Sequence, residues 1–113
     1  FLMAVAELET AVRLGLPLVV VVYDDDAYGA EVHHFGAGSD TPDLGAVTFP
    51  RADIASIARG FGAEGVTVRE PADLGALREW LADPARQIRP IVIDARIASD
   101  GGAWWLAEAF RGH

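Results

Sequence analysis

Leu16-Pro17-Leu18-Val19-Val20-Val21-Val22-Tyr23-Asp24-Asp25-Asp26-Ala27-Tyr28-Gly29-Ala30-Glu31 is the stretch on which the reading of this chain turns. Leu18 to Tyr23 is an unbroken apolar, largely β-branched run. Such a run reads as a strand covered on both faces, as in a parallel sheet with helices above and below. Three consecutive carboxylates follow, Asp24, Asp25 and Asp26, and then Ala27, Tyr28 and Gly29. In open α/β sheets, ligands bind beyond the carboxyl ends of the strands. Clustered carboxylates at that place are hard oxygen donors of the kind that suits Mg²⁺. The same residues also read as a solvated acidic turn, with Gly29 supplying an unusual backbone angle. The residues by themselves leave both readings open.

Upstream, Phe1 to Leu14 reads as a helix that is apolar on most of its circumference and therefore buried on more than one side. Glu9 and Arg13 stand four apart in the favoured order. Gly15 is placed to stop this helix and Pro17 to prevent its continuation. Downstream, Glu31 to Arg51 is irregular, punctuated by Gly36, Gly38, Ser39, Pro42, Gly45 and Pro50. A segment of that kind inside a compact domain reads as a functional loop or lid. His33 and His34 near its start read as pocket-lining or surface residues rather than metal ligands.

Asp53 is a good N-cap for a second helix through Ile54, Ile57, Ala58 and Phe61, one buried stripe closed by Gly60 and Gly62. Val66 and Val68 mark a short strand. Pro71 opens a third helix with Leu74, Leu77, Trp80 and Leu81 on one face and Asp83-Pro84 as its stop. Pro90 to Ala95 is another apolar strand. A last helix follows Ser99-Asp100-Gly101-Gly102 and carries Trp104, Trp105, Leu106 and Phe110, an aromatic surface suited to docking on another domain or subunit. Alternating helices and strands predict right-handed parallel crossovers in an open, doubly wound α/β layer with helices on both faces. Three strands leave one edge uncovered.

Composition narrows the partners. A chain of 113 residues makes one domain the natural count, and 51% apolar residues are enough for a core. Without cysteine there is neither a disulfide nor a thiolate metal site. Net charge is −8, and the nine positive residues, all Arg, are scattered. That argues against a nucleic-acid surface, which needs a concentrated basic patch, and suits anionic membranes poorly. No run approaches a membrane span, and Glu7 and Glu9 interrupt the apolar start in a way no signal peptide shows. The expectation is a cytoplasmic protein.

Several features then match one family in order and spacing over about thirty residues, a far more specific signal than a lone glycine motif. They are Phe1-Leu2-Met3-Ala4-Val5-Ala6-Glu7-Leu8-Glu9-Thr10-Ala11, then Leu16-Pro17, the apolar strand and Asp24-Asp25-Asp26-Ala27-Tyr28-Gly29. This arrangement resembles the second half of the cofactor signature of thiamine-diphosphate-dependent enzymes of the acetolactate synthase and pyruvate decarboxylase group. That signature opens on Gly-Asp-Gly, passes through a helix with a Glu-Leu-x-Thr-Ala element and a buried strand, and closes on Asn-Asn or Asn-Asp followed by Tyr-Gly. The rest of the chain through Phe110 is compatible with the family's C-terminal cofactor domain.

The resemblance implies the thiamine-diphosphate-binding fold, incomplete at its N-terminus, with residues 1–113 forming part of one diphosphate-anchoring domain. Phe1 would lie just past the Gly-Asp-Gly, so the chain would be a segment of a larger enzyme, inert alone. Carried over residue by residue, Mg²⁺ would be held by the Asp25 carboxylate and the Ala27 carbonyl, with the Gly-Asp-Gly aspartate. Tyr28, Gly29 and Ala30 would run beside the diphosphate, and Glu31 would handle protons on the substrate side, as in decarboxylase-like members. Asp24 departs from the family's usual Asn. The implied partners are a 2-keto acid and the pyrimidine-binding domain of the same or a second subunit, in a homodimer or homotetramer.

Two other readings compete. A haloacid dehalogenase-like phosphatase also places Asp-x-Asp after an apolar strand, but it needs a later Lys and this chain has none. A non-catalytic module could keep the fold without the cofactor, and the aspartate at position 24 mildly favours it.

Overall fold

The computed structural model describes residues 1–28, 32, 44–48 and 50–98. The expected Trp-rich helix after Ser99 lies outside them, as do Gly29, Ala30, Glu31, His33 and His34. The chain forms two compact units, Phe1–Tyr23 with Asp53–Arg96, and Asp24–Ala52 with Ile97–His113. In chain order come a 3₁₀ turn (Leu2–Ala4), α1 (Ala6–Arg13), β1 (Val19–Asp24), α2 (Ile54–Gly60) and β2 (Glu64–Val68). A second 3₁₀ turn (Pro71–Leu74), α3 (Gly75–Ala82) and β3 (Ile91–Arg96) complete the described elements.

The strands form one sheet in the order β1-β3-β2. β2 and β3 run parallel, with Glu64 opposite Ile91 through Val68 opposite Ala95. On the other side of β3, Ile91 N–H donates to the Leu18 carbonyl at 2.9 Å and Ile97 N–H to the Asp24 carbonyl at 3.1 Å. The second bond lies equally far along both strands, which makes this pair parallel as well. The sequence predicts this α/β parallel arrangement, and the short apolar run at Pro90 to Ala95 becomes its central strand.

Alternation along β3 assigns the two faces. Ile91 and Ile93 meet Trp80 of α3 in the core, with Val66, Val68, Leu77 and Ala95 packed around them. The opposite face belongs to α2, whose Ile54, Ala55 and Ala58 are buried. There β2 carries Gly65, where an added Cβ would collide with the Ala55 carbonyl oxygen and lie 3.0 Å from its carbon. Helices therefore cover both faces of the β2–β3 pair. Asp94, next to Val92 on the α2 face, is fully buried and accepts from Thr67 Oγ1 at 3.4 Å and from Arg96 Nη2 at 3.0 Å. A buried carboxylate needs such partners to remain charged.

Local signals end the helices where the sequence places them. Asp53 Oδ1 accepts from Ser56 N–H at 2.8 Å, and Ser56 Oγ lies 2.7 Å from Oδ2. These bonds hold the Asp53 carboxyl below its ordinary pKa. Gly15 (φ 64°) and Gly62 (φ 91°) occupy the left-handed position just past α1 and α2. In both cases their own amide and the next one bond back to the last turn, Leu16 N–H to Ala11 O and Ala63 N–H to Ala58 O. Pro84 forces Asp83 into extended backbone and ends α3. Gln87 Nε2 then donates to the terminal carbonyls of Trp80 and Leu81.

Four expectations change. Phe1 to Leu14 is a 3₁₀ turn followed by α1, and only Leu8 and Ala11 are buried, because so short a helix packs along a single stripe. The third helix likewise opens as a 3₁₀ turn from Pro71, and α3 proper starts at Gly75. Phe61 and Leu81 are exposed: Phe61 lies past the end of α2, and Leu81 lies off the stripe that Trp80 occupies. Finally, β1 is not covered on both faces. Val20, Val22 and Asp24 are half-buried, whereas Val19, Val21 and Tyr23 are exposed, Tyr23 at 76%. The sheet order puts β1 at one edge, as it puts β2 at the other, and the apolar cluster around Trp80 draws on β2 and β3 instead.

One ion pair ties β2 to the chain after α3. Arg86 Nε donates to Glu64 Oε1 at 3.0 Å, Nη2 to Glu64 Oε2, and Nη1 to Glu79 Oε2 at 3.2 Å. The Arg86 hydrogen bond holds the Glu64 carboxyl below the usual range and raises the guanidinium. A carboxylate whose folded pKa lies below its unfolded value stabilises the fold at every pH above the unfolded value. That contribution is lost as pH falls through the depressed folded value. Glu64→Gln is thus expected to lower the urea midpoint at neutral pH, with wild type and variant converging in acid; a constant gap down to the acid limit would contradict the pairing. Gly65→Ala is expected to cost about 1–3 kcal/mol, the scale of core overpacking. Gly60→Ala, with nothing within 4 Å of its Cβ, should not lower the midpoint.

Candidate functional site

The second unit begins where β1 ends. Asp24 is the last strand residue, and the next four residues reverse the backbone using their own side chains. Asp24 Oδ1 accepts from Asp26 N–H at 3.0 Å, and Asp25 Oδ1 accepts from Ala27 N–H at 3.3 Å. Each is a carboxylate bonding the amide two residues on, the local geometry that Asp favours in turns. Asp26 adopts φ 60°, a left-handed conformation that Asp and Asn tolerate better than other non-glycine residues. The acidic run is therefore a turn in which main-chain amides order the Asp24 and Asp25 carboxylates.

A second strip of chain braces this turn. Ala27 and Thr48 form an isolated antiparallel bridge. Its bond runs from Tyr28 N–H to the Val47 carbonyl at 2.9 Å, flanking the pair, so the bridge does not consume the Ala27 carbonyl. The strip itself is fixed by the Leu44 carbonyl, which accepts from Val47 N–H, Thr48 N–H and Thr48 Oγ1, each at 3.0 Å. Arg51 Nε completes the brace by donating to Asp26 Oδ2 at 3.4 Å. Past the bridge, Val32 N–H donates to the Tyr28 carbonyl at 3.0 Å, the spacing of a helical turn. The segment that reads as an irregular loop thus contains a helical residue at Val32 and an anchored turn at 44–48.

Of the expected site residues, Asp25, Ala27 and Tyr28 come together in this turn. Gly29, Ala30 and Glu31 lie outside the described residues. Asp25 is half-buried; its carboxylate is oriented by one amide and keeps lone pairs for a cation. With the Ala27 carbonyl it makes two hard oxygen donors within three residues, a set that fits Mg²⁺. It is a partial set. Among the described residues no group of three or more His, Cys, Asp or Glu side chains is arranged to hold a metal ion, so the other ligands would come from elsewhere. Asp24, in place of Asn, spends one oxygen on the Asp26 amide, a bond an Asn carbonyl could make equally well. Sequence reading missed Thr48, Val47 and Arg51, which brace the turn across 19 to 25 positions, and no local pattern announces them.

Comparison with known proteins gives the turn its context. The family described as thiamine pyrophosphate enzyme, C-terminal TPP binding domain, matches residues 1–95. An acetolactate synthase of Bacillus subtilis (strain 168) is 36% identical over 101 residues, covering 86% of this chain and 16% of that protein. The chain thus spans about a sixth of the length of this curated relative. The matched region contains the whole of β1 and the turn after it. The chain belongs to the thiamine pyrophosphate enzyme family, matching its C-terminal TPP binding domain over residues 1–95.

Proposed function

We propose that this chain is the diphosphate-anchoring part of a thiamine-diphosphate- and Mg²⁺-dependent enzyme acting on 2-keto acids, as a carboligase or decarboxylase. One observation carries the reading: the Asp25 carboxylate accepts from Ala27 N–H in the turn that directly follows an apolar strand. When bound, thiamine diphosphate supplies an ylid carbon and an electron sink for the bond broken beside the substrate carbonyl.

The chain's own residues have distinct tasks in this reading. Asp25 and Ala27 hold Mg²⁺, whose charge lets a diphosphate lie beside carboxylates. Tyr28, Gly29 and Ala30 line the diphosphate, where the glycine admits close approach and amides can donate. Glu31 holds or delivers a proton on the substrate side, a role that a partly desolvated carboxyl can take near neutral pH. The pyrimidine-binding domain belongs to the same or a second subunit of a homodimer or homotetramer. The exposed Val19, Val21 and Tyr23 and the small share of the relative's length covered here support a larger assembly.

Two substitutions in the full-length enzyme separate these tasks. Asp25→Ala is expected to weaken Mg²⁺ and thiamine diphosphate binding together in calorimetric titration, since each holds the other; unchanged affinity would refute the metal assignment. Glu31→Gln is expected to leave cofactor affinity nearly unmoved while turnover falls by about 10²-fold or more and the pH–rate profile loses one limb. Unaltered rate and profile would remove Glu31 from the active site.

A further inference from the structure

Three adjacent carboxylates at one turn are an electrostatic difficulty for a site that must also accept a diphosphate. Like charges so close disfavour one another, and they disfavour an incoming anion. Two of the three are engaged with the main chain: Asp24 with the Asp26 amide and Asp25 with the Ala27 amide. Asp26 differs. Its carboxylate meets a cation, with Arg51 Nε 3.4 Å from Oδ2. The guanidinium arrives from 25 residues further on, at the end of the strip that also supplies the Val47 carbonyl to Tyr28 and the Thr48 bridge to Ala27. Arg51 and its strip therefore touch the residues on both sides of the Ala27 carbonyl.

We propose that Arg51 is a positioning and charge-compensating residue of the Mg²⁺–diphosphate site. Through Asp26 it offsets one of the three negative charges and ties the 44–51 strip across the turn, so that Asp25 and Ala27 present their oxygens in one arrangement. This rests on the reading of Asp25 and Ala27 as metal ligands. The pair is largely open to water, with side-chain exposure of 69% for Arg51 and 32% for Asp26. Exposed pairs add little to folding stability, so the effect falls on anion affinity and is screened by salt.

The test is Mg²⁺-dependent thiamine diphosphate binding by calorimetry in the full-length enzyme. Arg51→Gln is expected to weaken binding about 2–5-fold at low ionic strength, a difference that shrinks in high salt, while the unfolding midpoint stays in place. Adding Asp26→Asn should restore most of the lost affinity. Asn removes the excess charge and tolerates the left-handed backbone at that position. A merely structural role for Arg51 would not be rescued in this way. Wild-type affinity in Arg51→Gln, or a double variant as weak as the single one, overturns the proposal. Asp25→Ala run in parallel distinguishes the failures. If Asp25→Ala abolishes binding while Arg51→Gln does nothing, only the role of Arg51 falls. If Asp25→Ala binds like wild type, the ligand assignment and this inference fall together.

Discussion

Strand β3 is the member on which the sheet depends. Its first four residues are buried, and its amides and carbonyls pair with β2 on one side and β1 on the other. A parallel strand in the middle of a sheet must satisfy every main-chain group through its neighbours, since no water reaches it. That requirement fixes the register of both flanking strands. Around this strand, Gly65 admits the close approach of α2 to β2, and the buried Asp94 is ion-paired with Arg96 and hydrogen-bonded by Thr67.

The turn after β1 obeys a different constraint, the crowding of like charge. Its solution is local. Two carboxylates bond amides two residues ahead, and the third meets an arginine from a distant strip. The outcome is a compact loop in which a carboxylate and a carbonyl sit within three residues of one another. Hard cations select oxygen donors of that kind, and a divalent cation is what reconciles acidic residues with a diphosphate. The chain belongs to a TPP-binding family, and the proposed metal ligands lie in this turn.

Legibility in the sequence followed the range of the interaction. Asp53, Gly15, Gly62 and Pro84 act on their own turns: Asp53 opens a helix and the other three close one where their chemistry says they should. The parallel sheet was legible because β-branched runs separated by helical stripes admit few other arrangements. The exposure of β1 was not legible, because an apolar run records what a strand can bury and not what lies against it in this chain. Packing decides that, and the apolar cluster around Trp80 is built on β2 and β3, while Val19, Val21 and Tyr23 of β1 stay exposed. At the site, the resemblance picked out Asp25 and Ala27 by spacing alone. Arg51, Val47 and Thr48 were invisible for the same reason that Asp94 was unremarked: their partners are brought near only by the folded chain. Among the described residues no helix is long and apolar enough to cross a membrane.

The central claim is that Asp25 and Ala27 hold a divalent cation together. A crystal structure of the full-length enzyme with thiamine diphosphate and Mn²⁺ in place of Mg²⁺ tests it most directly, because the anomalous signal locates the metal independently of the surrounding density. The account predicts a peak within about 2–2.5 Å of both an Asp25 carboxylate oxygen and the Ala27 carbonyl oxygen. A fully occupied metal bound to neither would contradict it.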